Sequence, residues 1–421
     1  MGKRLVACLN QREGTNYTVR EFFDSVYVPL FFGSSRMLQF VNNSPFAQKF
    51  TSQKRKFTVE LMDECLREVH NKVQNNQPDA SFFLGGPASG VDDKTSGQVT
   101  SMGITVPKED IYASWIGAAL GLTIGGGETL LIDSADVLLT TYDGWASYRQ
   151  FLDQTPTMDP FKINSWNGQW VASQMADQAY FDLKPNTDGT APEPERWVQL
   201  LFALNHHYRE RPIRHLLAYV YKFGKTNETL GFVRLNLSDV RRLVDLYRQL
   251  FTVPPGMQPK SFEAIYETTE SFRFACGRTE IGLRALKPKD VFKGDTGIPK
   301  CPKATDPTSQ IAFDTYQTWI IAMLNNKDLL PRAEELAAAL NQFQKQDVRL
   351  KNVNKQMVEE LLGKRNRREF IEELTKLLEK DSSNCDLFER VVEDLLSLSS
   401  DNVPLFLTLL RFKYAAAKAE S

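Results

Sequence analysis

From Gln310 onward the chain repeats one pattern: a short run with apolar side chains three and four residues apart, then a brief polar break. That periodicity predicts helices over Ile311–Leu324, Pro331–Gln344, Asn354–Leu362, Arg367–Lys380, Leu387–Leu398 and Pro404–Ala417. Leu336, Leu340 and Phe343, then Phe370, Leu374, Leu377 and Leu378, form amphipathic stripes. Pro331 and Pro404 suit first helical turns, where a missing N–H costs nothing, and Asp381-Ser382-Ser383-Asn384 suits a stop followed by a new cap. Short helices of this kind are stable only when their stripes are buried against one another, so a helical bundle is expected.

Upstream the pattern is less uniform. Arg4–Leu9 reads as a strand, the aromatic stretch through Phe22-Phe23 and Val26–Phe32 as mixed structure, and Lys56–Val73 as a helix with Leu61, Cys65, Leu66 and Val69 on one face. The glycine- and serine-rich Leu84–Gln98 reads as a surface turn, Ile111–Gly121 as a small-residue helix and Thr129–Asp133 as a short buried strand. Tyr142–Trp170, with Trp145, Trp166 and Trp170 among turn residues, reads as an irregular packed segment. Glu195–Leu250 reads as helical, carried by Trp197, Leu200, Leu201 and Leu204 and later by Val240, Leu243, Val244 and Tyr247. Pro185–Pro194 is the best linker, and 287–307, with Pro288, Pro299, Pro302 and Pro307, is a second linker or long exposed loop. The expected fold is α+β, with a mixed α/β amino-terminal part over 1–190, a helical and mixed basic domain over 191–305, and the helical bundle over 306–421.

Composition enters mainly by exclusion. At 421 residues, 42% hydrophobic and 24% charged, the chain has the balance of an ordinary folded protein too long for one core. No apolar run approaches the roughly 20 residues of a membrane span, and the start lacks a secretory pattern, so a cytoplasmic location without membrane partners is expected. The five cysteines are scattered and the four histidines hold no zinc spacing, so no cofactor or metal is expected.

Several constellations bear on chemistry. Gly125-Gly126-Gly127 could cradle a phosphate, but phosphate loops run from strand to helix, and here the order is reversed, which favours a tight helix-to-strand turn. Gly85-Gly86-Pro87-Ala88-Ser89-Gly90 follows an apolar run yet lacks the Gly-Lys-Ser ending. Asp133, Asp136, Asp143 and Asp153 match no metal template and read as loop acids and caps. His206, His207 and His215 are tied to no nucleophile by motif.

The most informative feature is charge. Between Asn205 and Leu250 nine basic residues, Arg209, Arg211, Arg214, Lys222, Lys225, Arg234, Arg241, Arg242 and Arg248, meet only four acids, a local excess of +5 in a chain whose net charge is −1. Tyr208, Tyr219, Tyr221, Phe223 and Tyr247 are interleaved with them, and guanidinium groups beside flat rings suit phosphate contact with base stacking. The plainer reading is a helical pair with core tyrosines and solvated arginines. Lys364, Arg365, Arg367 and Arg368 form a second patch at a turn between bundle helices, where Glu369, Glu372 and Glu373 could neutralise them. Lys54-Arg55-Lys56 is a third patch.

The segment from Trp115 to Val137, WIGAALGLTIGGGETLLIDSADV, followed by WVQLLFALNHHY from Trp197 and the closing PLFLTLLRFKY from Pro404, resembles the later part of type I CRISPR effector large subunits, closest to type I-D. It covers roughly residues 105–421. The family's His-Asp nuclease domain and paired zinc cysteines are missing here. The resemblance implies a nuclease-lacking large subunit, a non-catalytic nucleic-acid-binding protein that aids target recognition and steadies the displaced strand. Its implied partners are guide RNA, target DNA, other effector subunits, and a separate nuclease or transposition protein. The competing expectation is an enzyme acting on a nucleotide or small phosphorylated substrate through the glycine loops.

Overall fold

A computed structural model of the protein describes residues 1–41, 44–75, 106–176, 192–222, 228–251, 266, 269–292, 297–303, 306–346 and 350–419. The fold is α+β, with one small sheet among many helices. The chain separates into two compact units, one from residues 1–238 with 268–281, the other from 239–267 with 282–421. The expected turn at Leu84–Gln98 and most of the Pro185–Pro194 stretch lie outside the described residues.

The first unit opens with α1 (Gly2–Glu13), so the expectation of a strand at Arg4–Leu9 is corrected. Leu5, Val6 and Leu9 are all buried on that helix, a spacing that suits one helical face better than an alternating strand. A capping box between Thr18 and Glu21 starts α2 (Val19–Phe22), which runs through a π-helical turn at Phe23–Tyr27 into α3 (Val28–Phe32). Its rings build an aromatic core with later helices: Tyr27 stacks on Phe31 at 4.4 Å, Phe32 on Phe46 at 4.4 Å, and Phe31 meets Trp145 edge-on at 4.8 Å. The predicted helix near Lys56–Val73 is α4 (Val59–Gln74), capped by Thr58, and α5 (Lys108–Ala119) follows.

Tyr142–Trp170 is not irregular. It falls mostly within α6 (Ala135–Gln154) and α7 (Ile163–Met175), whose close approach depends on Gly144. A Cβ at that position would lie 2.6 Å from the Trp170 ring, and the Trp166 indole N–H donates to the Gly144 carbonyl at 2.9 Å. Gly144, one of the residues that suggested a turn, is instead what lets the Trp170 indole enter between the helices.

A five-stranded sheet completes the unit, with strands β1 (Leu122–Thr123), β2 (Thr129–Ile132), β3 (His215–Lys222), β4 (Glu228–Asn236) and β5 (Glu280–Ile281) adjacent in that order. All neighbours are antiparallel except β4 and β5. Only the ends of the Glu195–Leu250 stretch are helical, as α8 (Trp197–His207) and α9 (Leu237–Leu250), so the reading of its middle as helix is corrected. Leu216, Ala218 and Val220 of β3 and Val233 and Leu235 of β4 alternate inward and are buried, the period-two burial of a half-covered sheet. The short α10 (Thr269–Gly277) precedes β5.

In the second unit the bundle helices are α11 (Pro307–Leu324), α12 (Leu329–Lys345), α13 (Lys351–Gly363), α14 (Arg367–Lys380), α15 (Cys385–Ser397) and α16 (Val403–Ala419). Each lies where the periodicity placed it. The 287–307 stretch, expected to be exposed, is anchored: Leu286 is buried, Pro288 forms a bridge with Tyr266, and Phe292 lies 5.6 Å from both Tyr316 and Phe412. Its apolar content is small, yet Phe292 sits on the α11 and α16 rings, while Lys289, Asp290, Lys300 and Lys303 are exposed. No helix among the described residues is long and apolar enough to cross a membrane.

Candidate nucleic-acid interface

The basic stretch divides between the two units. Arg209, Arg211, Arg214, Lys222 and Arg234 belong to the first, while Arg241, Arg242 and Arg248 lie on the part of α9 assigned to the second. Lys225 and Phe223 lie outside the described residues.

Within the first unit, the basic residues differ in what they touch. Arg211 forms an ion pair with Asp136, whose carboxylate also lies 3.3 Å from His207 Nε2. Burial works against the Asp136 charge, but the His207 hydrogen bond and the Arg211 guanidinium outweigh it and hold the carboxyl below its ordinary range. Tyr208, beneath this pair, hydrogen-bonds Ser134, and burial pushes its phenol up to about 12. Lys222 donates its ammonium to the Gly126 carbonyl at 2.6 Å. Arg209 is exposed just after α8. Arg214 and Arg234 are exposed and form no ion pair among the described residues.

Arg234 sits on the sheet's outer face. Directly paired antiparallel residues share a face, so Leu131, Tyr219 and Phe232 form one row and Leu217, Arg234 and Glu280 the next. Phe232 is 64% exposed and Leu217 40%, and the Tyr219 and Phe232 rings lie 5.2 Å apart. The nearby acids are engaged: Glu228 pairs with Arg273, and Glu280 accepts from the Asn236 amide at 2.7 Å. At the other end of this face Tyr221 is buried, its phenol pushed strongly up by desolvation. Tyr219 and Tyr221 are therefore strand residues, whereas Tyr208 at the end of α8 and Tyr247 on α9 are buried, as the plainer reading of core tyrosines expects.

Sequence reading missed Phe232 and did not single out Arg234. The signal was there in the alternation Phe232-x-Arg234 against Leu217-x-Tyr219, which places all four on one side of a hairpin.

On the second unit's described residues, Arg241 and Arg242 are half-buried and Arg248 is exposed. The bundle patch is largely spoken for. Lys364 lies 3.5 Å from Glu373, Arg368 lies 2.8 Å from Glu372 one turn away, and Arg367 donates to the Leu398 carbonyl at the end of α15. Buried Arg411 donates to the Leu362 and Lys364 carbonyls, both at 2.7 Å, fixing the turn from behind. Arg365 is exposed and makes no ion pair among the described residues. Of the third patch, Lys54 adopts a left-handed φ of 53° ahead of α4.

The groups considered for catalysis are occupied elsewhere. Asp133 pairs with Arg4, Asp143 with Arg12 and Asp153 with Arg149, so the four aspartates serve separate ion pairs. No three His, Cys, Asp or Glu side chains gather to hold a metal among the described residues. Gly125-Gly126-Gly127 turns between β1 and β2, since the two-residue β1 intervenes after α5. The Gly125 N–H donates to Glu195 and the Gly127 N–H to Ile124, leaving those two amides unable to cradle an anion. The second glycine loop, 85–90, lies outside the described residues. No known protein family, curated protein or solved structure matches this chain.

Proposed function

We propose that the protein is a non-catalytic nucleic-acid-binding subunit that contacts its ligand through the first unit. The observation that carries this reading is the pair Arg214 and Arg234, exposed and without ion-pair partners among the described residues, in a stretch whose net charge is +5. Arginines left without acids attract phosphate, and they do so without needing a positive charge over the whole molecule. Doubly substituted Arg214→Ala/Arg234→Ala protein is expected to lose affinity for oligonucleotides about tenfold and to show a shallower salt dependence, by about one unit of slope per lost contact. An unchanged slope in a folded double variant would overturn the reading. The enzymatic alternative draws no support from the Gly125–Gly127 loop, whose Gly125 and Gly127 amides are spent internally.

The sequence resemblance extends the proposal to an RNA-guided effector complex. Guide RNA and target DNA would be the ligands, with other effector subunits and a separate nuclease or transposition protein as partners. This extension rests on the resemblance alone. It is tested by co-expression with a CRISPR-type guide complex, where absence of co-purifying RNA and subunits counts against it.

A further inference from the structure

The outer face of the sheet combines features that do not fit a merely solvated surface. Phe232 leaves 64% of its surface in water at the middle of β4, where a polar residue would suit a solvent-facing position better. Tyr219 lies beside it on β3, its hydroxyl 3.2 Å from Thr229 and its ring tilted 53° against Phe232. Leu217 continues the apolar surface into the next row, where Arg234 stands without an ion-pair partner among the described residues. The Glu228 carboxylate pairs with Arg273 and the Glu280 carboxylate accepts from the Asn236 amide, so neither forms an ion pair with Arg234.

We propose that this face is a base-stacking platform for single-stranded nucleic acid: Phe232 and Tyr219 each take the flat side of a base, and Arg234 takes a phosphate. The proposal rests on the nucleic-acid reading above and names its ligand more narrowly. An exposed ring, with a partly exposed one beside it and a cation in the next row, matches a ligand that alternates flat apolar bases with anionic phosphates. In a duplex the base faces are already stacked on each other, so only unpaired strands can lay them on side-chain rings. Stacking of this kind is sequence-tolerant, because every base has such a side.

The test uses the full chain with twelve-residue oligo(dT) and oligo(U), and a duplex of equal length, titrated by fluorescence anisotropy at two salt concentrations. The unmodified protein should bind at least one single strand more tightly than the duplex. Phe232→Ala should weaken single-strand binding about tenfold with the salt slope unchanged, and Phe232→Trp should restore it, since stacking needs a ring but no charge. Arg234→Ala should instead flatten the slope. Equal binding by folded Phe232→Ala, with Arg214→Ala/Arg234→Ala still impaired, would overturn the platform and leave the nucleic-acid reading standing. Equal affinity for duplex and single strand would also overturn the platform. Binding of neither would overturn both.

Discussion

Most members of two basic stretches meet different fates in this molecule, Arg365 of the bundle apart, which is also exposed without an ion pair among the described residues. In the first unit, Arg214 and Arg234 stand at or beside the strands of a sheet and have no ion-pair partners among the described residues. In the bundle, Lys364 and Arg368 are answered by glutamates and Arg367 by a carbonyl. The difference follows from local geometry. On a helix an acid three or four residues away is a built-in neighbour, and Arg368 finds Glu372 there. A strand instead sets opposite Arg234 whatever the neighbouring strands supply, here Leu217 and Glu280. Charge counted along a sequence therefore overstates the unpaired charge of helices relative to that of strands.

The largest expected effect that would sharpen this contrast is on stability. Arg367 ties the start of α14 to the last carbonyls of α15, so Arg367→Ala should destabilise the chain by about 2 kcal/mol while leaving oligonucleotide affinity per folded molecule unchanged. Denaturant melts and binding titrations on the same sample decide it, and a binding loss with unchanged stability would break the comparison.

A smaller effect is expected where the first stretch does carry an acid. Asp136 neutralises Arg211, so Asp136→Asn should release that guanidinium and raise oligonucleotide affinity about two- to threefold. The same carboxylate has a pH signature. Its folded pKa is lowered, so the unfolded state binds its proton more readily, and the stability it contributes is full above the ordinary carboxylate pKa and lost as pH falls through the lower folded value. Thermal melts of Asp136→Asn should lose that part of the acid dependence, and an unchanged acid limb would show that the pair does not act in this way.

The smallest effect is expected at Arg368, whose side chain is 89% exposed. Arg368→Ala should leave both the melting temperature and oligonucleotide binding unchanged within error, since exposed pairs one helical turn apart contribute little. A clear fall in affinity would give the bundle patch a role equal to the sheet's.

How much of this was legible in the sequence depended on the length of each periodic run. The bundle helices were readable because Leu336, Leu340 and Phe343 recur over several turns and prolines mark the starts. Arg4–Leu9 was too short a window to separate a helix from a strand, and the buried set Leu5, Val6 and Leu9 settles it only in three dimensions. The β3–β4 pair was hidden between two strongly helical flanks, and adjacent Leu216 and Leu217 blurred the alternation. Phe232 escaped notice because exposure is a tertiary property: the same residue would be core had its face been covered.

The β3–β4 register shifts between Val220 and Tyr221, where β4 carries one extra residue, Leu230, next to Gly231, which takes a left-handed φ of 93°. Its consequence concerns self-association. Among the described residues β5 pairs with β4 only at Arg234 and Leu235, so no other strand of this sheet borders the earlier residues of β4 on that side. A flat strand in that position invites polymerisation by continued backbone pairing, and exposed Phe232 would aggravate it. The bulge and the glycine kink the ladder at that stretch, which spoils the register a second chain would need. The exposed Phe232 ring thus stands on a strand whose irregular edge is a poor template for extending the sheet.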